Sequence, residues 1–120
     1  EFIGSPAMNM LPLSGGCKLG FRPEKVSLST DRMPDAHMAR PGVVTVREML
    51  GSETLYKIMF ADGSSAMAKS LTDSHQAGEQ VIANVLGQDL YFFEEKGDRI
   101  RQKEHPVRYE QLMVQAGGLT

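Results

Sequence analysis

Tryptophan is absent from this sequence, cysteine occurs once, histidine three times, and neither sign of charge is in excess. Each shortage removes a class of chemistry. A single Cys17 forms no intrachain disulfide and no thiolate metal cluster, and it fits a reducing compartment. A nucleophilic cysteine needs a base beside it. His37, His75 and His105 all lie in polar or Pro-adjacent stretches with no motif around them, so Cys17 reads as a small strand residue. The same histidines lack ligand-like spacing, which argues against a metal site. A formal charge of −2 offers no general attraction to nucleic acid, and the cluster Lys96, Arg99, Arg101, Lys103 is interrupted by Asp98 and Glu104, as in a solvated end. No run of about 18 apolar residues is present to cross a bilayer.

Enzyme signatures are missing as well. The sequence holds no G-x-x-x-x-G-K-S/T phosphate loop, no G-x-S-x-G elbow and no H-E-x-x-H helix. Glu94 and Glu95 are adjacent and would point to opposite faces of a strand, so they make no acid/base pair. We therefore expect no catalytic residues in this chain. At 120 residues it is one domain by length, able to bury a modest core. It opens at Glu1 without a Met or a secretory signal pattern, and we expect a piece of a longer polypeptide.

What the sequence does hold is β pattern. Val43 to Leu50 and Thr54 to Phe60 flank the break Gly51-Ser52-Glu53, with Val44, Val46 and Leu50 alternating against Thr45, Arg47 and Met49, and Tyr56, Ile58 and Phe60 against Lys57 and Met59. This predicts a central hairpin. Ala61-Asp62-Gly63 turns into a third strand over Ser65 to Ser70, Gln80 to Leu86 alternates again, and Gly87-Gln88-Asp89 leads into Leu90 to Phe93. Upstream, Cys17 to Phe21 and Lys25 to Leu28 read as short strands around Arg22-Pro23-Glu24. Ser29 to Pro41 reads as a loop, and Thr72 to Gly78 as a connection with room for one helical turn. Val107 to Ala116 is loosely helical without a good cap. Met8, Met49, Met59 and Met67 occupy strand positions and read as core filler. The pattern predicts an all-β chain, a small OB-like barrel of about five to seven antiparallel strands with little helix; an SH3-like barrel fits it equally.

Four stretches carry a resemblance: FIGSPAMNMLP, LGFRPEKVSL, VREMLGSETLYKI and QDLYFFEEKGDRI, in that order. Together they resemble the C-terminal regulatory domain, called TOBE for transport-associated OB fold, of the ATP-hydrolysing subunits of bacterial carbohydrate and glycerol-phosphate ABC importers. The likeness runs from Phe2 to Arg101. It implies a lead-in over residues 1–16 from an ATPase domain, a barrel over 17–101, and a tail over 102–120, helical or disordered. It implies a regulatory and dimerisation role in uptake of a sugar, polyol or glycerol phosphate, with ATP and Mg held by the ATPase domain and no cofactor or metal in this chain. The implied partners are that ATPase domain, a second ATPase subunit, the inner-membrane permease subunits and a cytoplasmic regulator. The implied location is the cytoplasmic face of the cell membrane.

Position by position, Gly4, Ser5, Pro6, Met8 and Asn9 match the family's lead-in motif, Arg22, Pro23 and Glu24 match G-I/V/F-R-P-E, and Gly51, Ser52 and Glu53 match the L-G-x-E turn. From this resemblance Ser5, Met8, Asn9, Arg22, Pro23, Glu24, Gly51, Ser52 and Glu53 are the interface or regulatory candidates. The sequence departs from the family by the short segment Leu13 to Leu19, which leads us to expect a compact barrel with an exposed edge for a partner chain. Two other readings stay open. One is a stand-alone oxyanion binder, as in molybdate-binding TOBE modules; the other is an oligonucleotide-binding OB fold using Tyr91, Phe92 and Phe93, which lack basic residues on both sides.

Overall fold

The computed structural model of this chain describes residues 7–120. Its strands form two antiparallel sheets. β1 (Asn9–Pro12), β2 (Lys18–Phe21), β8 (Tyr91–Phe93) and β9 (Arg99–Ile100) make one, in the order β1-β2-β8-β9. β3 (Ser27–Ser29), β4 (Met38–Leu50), β5 (Glu53–Met59), β6 (Ser65–Ser70) and β7 (Gln80–Val85) make the other, in the order β3-β7-β4-β5-β6. One helix, α1 (Pro106–Gly117), follows. The outcome is the small, OB-like, all-β fold that the turn spacing predicts, with nine strands among the described residues.

The four-stranded sheet is built on a single buried row. Leu11 faces Leu19, Leu19 faces Phe92 and Phe92 faces Ile100 across successive strands. All four side chains are removed from solvent. The stretch read as an extended lead-in thus becomes paired strand from Asn9, returning through a 3-10 turn at Ser14–Gly16 where Gly15 and Gly16 both take positive φ.

The five-stranded sheet curls on itself. Its core face carries Met38, Val44, Tyr56, Ile58, Ala66, Ala68, Ala83 and Val85, all buried. The two alanines on β6 leave room for β3 and the 3-10 turn Pro23–Lys25 to pack against that strand, which brings the ends of the sheet together as a barrel. Pro23 is fully buried in this junction.

Four expectations are corrected here. The loop read over Ser29 to Pro41 ends at Met38, and Pro41 lies inside β4 opposite Ile82. A proline is accommodated because pairing of β4 with β5 begins only at Val43, so its missing N–H costs no ladder bond. The alternation of Val44 with Val46 fails: a bulge at Thr45 shifts the register, leaving Val44 fully buried and Val46 48% exposed. The methionine assignment fails with it. Met49 and Met59 are 58% and 40% exposed, while the core methionine is Met38. The connection over 72–78 contains no helical turn.

The tail folds. α1 starts with Pro106, whose fixed φ suits the first helical turn, and buries Leu112 and Ala116 against the core. Tyr109 meets Phe92 edge to face at 5.2 Å.

Candidate functional site

The predicted positions fall in three places on the barrel, with Ser5 outside the described residues along with Gly4 and Pro6. Asn9 is buried at the start of β1, where its side-chain amide meets the Met67 peptide of β6: Nδ2 donates to the Met67 carbonyl at 2.9 Å and Oδ1 accepts from the Met67 N–H at 2.8 Å. Met8, beside it, packs over Gly20; a Cβ there would lie 2.7 Å from the Met8 sulfur.

Arg22, Pro23 and Glu24 form the turn that lies on β6. The Arg22 carbonyl accepts from the Lys25 N–H at 3.0 Å and that of Pro23 from the Val26 N–H at 3.3 Å. Pro23 is the buried wedge, and Arg22 and Glu24 point into solvent. Among the described residues neither forms an ion pair, so they do not bridge neighbouring strands. Glu24 borders a small polar opening of about 280 Å³ at the junction of β3 and β6, together with Lys69, Ser70, Thr72 and His75. Lys69 Nζ lies 3.7 Å from Glu53 Oε2. Glu53 thus reaches the lysine that lines the same opening as Glu24. Gly51 and Ser52 make the two-residue turn of the β4–β5 hairpin, with φ +65° at Gly51 alone, the arrangement that places glycine first.

Sequence reasoning missed the network that closes this opening. The buried Tyr56 hydroxyl donates to the Thr72 carbonyl and accepts from the backbone N–H groups of Ser74 and His75. His75 Nδ1 donates to Glu79 Oε2 at 2.7 Å, and Glu79 Oε1 accepts from the Gln76 N–H. The His75 contact, then that N–H, hold the Glu79 carboxyl below the usual range. Arg47 and Asp73 pair at 3.3 Å across the same loop. No local motif announces these bonds; the aromatic Tyr56 in a strand was the visible signal.

The helix is tethered to both sheets. Arg108 donates to both carboxylate oxygens of Glu94, at 2.6 and 2.7 Å, and to the Cys17 sulfur at 3.1 Å. The bidentate pair lowers the Glu94 pKa and raises that of Arg108. His37 Nε2 donates to the Met113 carbonyl at 2.6 Å. Arg40, 3% exposed, donates to the Thr120 carbonyl, stacks over Phe60 at 4.3 Å and pairs with Asp62 at 3.2 Å.

A larger concavity lies elsewhere, an apolar groove of about 580 Å³ on the outer face of the barrel. Pro41, Val43, Met59 and Ile82 form its walls, with Thr30 and Gln80 at the rim. Pro41 faces Ile82 and Val43 faces Met59 in register, so their side chains share one face. Phe92, part of the aromatic run, is fully buried in the core, and Tyr91 is covered by the Arg99 guanidinium at 4.7 Å from its ring. Among the described residues no group of His, Cys, Asp or Glu is placed to hold a metal ion, and no helix is long and apolar enough to cross a membrane.

Two comparisons bear on this arrangement. Residues 19–93, from β2 to β8, match the model of the TOBE domain. The chain is also similar to an sn-glycerol-3-phosphate import ATP-binding protein, UgpC 3, of Agrobacterium fabrum, at 28% identity over 120 residues; the match covers 82% of this chain and 34% of that protein. The chain thus spans about a third of the length of this relative. With the five-stranded sheet, the buried Pro23 turn and the β4–β5 hairpin all inside the matched span, this chain belongs to the TOBE domain family.

Proposed function

We propose that this chain is the C-terminal accessory domain of an ATP-hydrolysing subunit of an importer for a sugar, polyol or glycerol phosphate, where it holds two such subunits together and receives regulatory signals. Hydrolysis, with its ATP and Mg, belongs to a domain that precedes it in the same polypeptide. It works on the cytoplasmic face of the membrane, where its partners are that domain, a second subunit, the permease subunits and a regulator protein. The family match and the relative's name support this setting.

The observation that carries the contact role is the groove. Four apolar side chains, Pro41, Val43, Met59 and Ile82, stand together in a groove whose lining carries no charged residue, and none of them is a group that does acid/base or nucleophilic chemistry. Such a surface suits another protein face. Sedimentation of the purified chain is expected to show weak self-association that Met59→Lys abolishes, and the chain is expected to turn over no ATP. Measurable ATP hydrolysis by the chain alone, or self-association indifferent to Met59→Lys, overturns the proposal.

A further inference from the structure

A barrel made by curling one sheet must deal with the edge strands where the sheet ends. β6 is such an edge: its inner side pairs with β5, and the peptide of Met67 faces the other way. β1 is the edge of the second sheet. The two edges do not form a ladder. Instead the Asn9 side chain supplies one amide that matches a peptide group, with the donor to the Met67 carbonyl and the acceptor for the Met67 N–H at 2.9 and 2.8 Å, both shielded from water because Asn9 is 7% exposed. Among the described residues no other hydrogen bond joins a strand of one sheet to a strand of the other.

The chemistry at this point is restrictive. Asp accepts from the Met67 N–H but has no proton for the Met67 carbonyl. Ser reaches only one of the two groups, and Leu satisfies neither. A buried peptide group left without its partner is costly, so the identity of residue 9 decides whether the two edges stay joined.

We infer that Asn9 is a positioning residue: its side chain stands in for a missing strand, locks β1 to β6 and makes the chain entering the fold part of the same rigid unit as the barrel. The unit therefore includes Asn9, upstream of the span 19–93 that defines the family match. Under the function proposed above, this is where a preceding domain is held to the barrel. The lock itself does not depend on that function, and its failure would leave the function standing.

Amide hydrogen exchange on the whole chain, resolved by residue, tests the lock. In Asn9→Leu the Met67 amide is expected to exchange about 10- to 100-fold faster than in the unaltered chain, the loss corresponding to one buried hydrogen bond. The Ala68 amide, which belongs to the β5 side of the same strand, is expected to keep its rate. In Asn9→Asp, which retains the acceptor, the Met67 amide is expected to stay protected even if the variant is less stable overall. Unchanged Met67 exchange in Asn9→Leu, equal acceleration of Met67 and Ala68, or loss of Met67 protection in Asn9→Asp as large as in Asn9→Leu each overturns the inference.

Discussion

Gly42 gives the sharpest test of how tightly the barrel is wound. It lies in β4 one residue before pairing with β5 begins, at the floor of the apolar groove. A Cβ added there would sit 2.4 Å from Ile58 Cγ2, 2.9 Å from the Met59 carbonyl oxygen and 3.1 Å from Phe60 Cδ1. Ile58 is fully buried and branched at Cβ, so it has no alternative rotamer to retreat into, and the carbonyl is backbone. Relief requires β4 and β5 to part. Overpacking of this kind costs about 1–3 kcal/mol, and the reduced chain freedom of alanine relative to glycine returns about 0.5–1 kcal/mol, so Gly42→Ala is expected to destabilise by about 1–2 kcal/mol. With a urea slope of about 2 kcal/mol per molar, the unfolding midpoint falls by about 0.5–1 M at an unchanged slope. Equilibrium urea denaturation followed by far-ultraviolet circular dichroism reads this directly. A midpoint equal to or above that of the unaltered chain would refute the close crossing of the two strands at this glycine.

Gly51→Ala is expected to cost about 1 kcal/mol although open space surrounds its Cα, because the strain is in φ +65° alone; thermal unfolding should drop by about 4 °C, and an unchanged midpoint would show that the hairpin turn can adopt another form. Acid exposes the carboxylates. The Asp62 pKa is lowered from 3.8 to about 2, first by the Ser64 hydroxyl, then by the Ser64 N–H, with Arg40 contributing less. Because the folded value lies below the unfolded one, the stability it confers is present above about pH 4 and is lost as the pH falls toward 2. Carbon-13 titration of the Asp62 carboxyl is expected to move up more in Ser64→Ala than in Arg40→Met; the opposite order would make the ion pair the governing contact.

What could be read from the sequence and what could not divide by the range of the interactions. Period-two alternation over Tyr56, Ile58 and Phe60, and over Val81, Ala83 and Val85, is a property of neighbouring residues, and those side chains are buried as the alternation requires. So is the glycine at the hairpin turn. The bulge at Thr45 defeats the same reasoning, since one extra residue inverts every later side chain and turns Val46 outward. α1 carries no N-cap and only a weak apolar stripe. It is held by partners distant in the chain: Cys17 for Arg108 and His37 for Met113. Arg40 likewise looks like a solvent-facing charge beside a proline until Asp62, Phe60 and Thr120 converge on it. Of the candidate positions, Asn9, Pro23 and Gly51 have identifiable structural duties, whereas Arg22 and Glu24 remain in solvent, free of ion pairs among the described residues.

The short segment between Pro12 and Gly20 leads one to expect an edge left open for a partner chain. The structure places the available surface differently. That segment is long enough for a 3-10 turn, and the turn allows β1 to fold back on β2 and continue into β8 and β9. At the other end of the fold, the Pro23 turn and the Asn9 amide cover β6. Among the described residues the other edges, β1, β3 and β9, are four, three and two residues long, short templates for a further strand. Among the described residues the unpaired backbone is therefore confined to short stretches. Under the proposed function, recognition would use a face rather than an edge, the side chains of Pro41, Val43, Met59 and Ile82. A partner that binds there is read by its side chains, so charge introduced at Met59 should disrupt contact while leaving the strand ladders of β4, β5 and β7 unchanged.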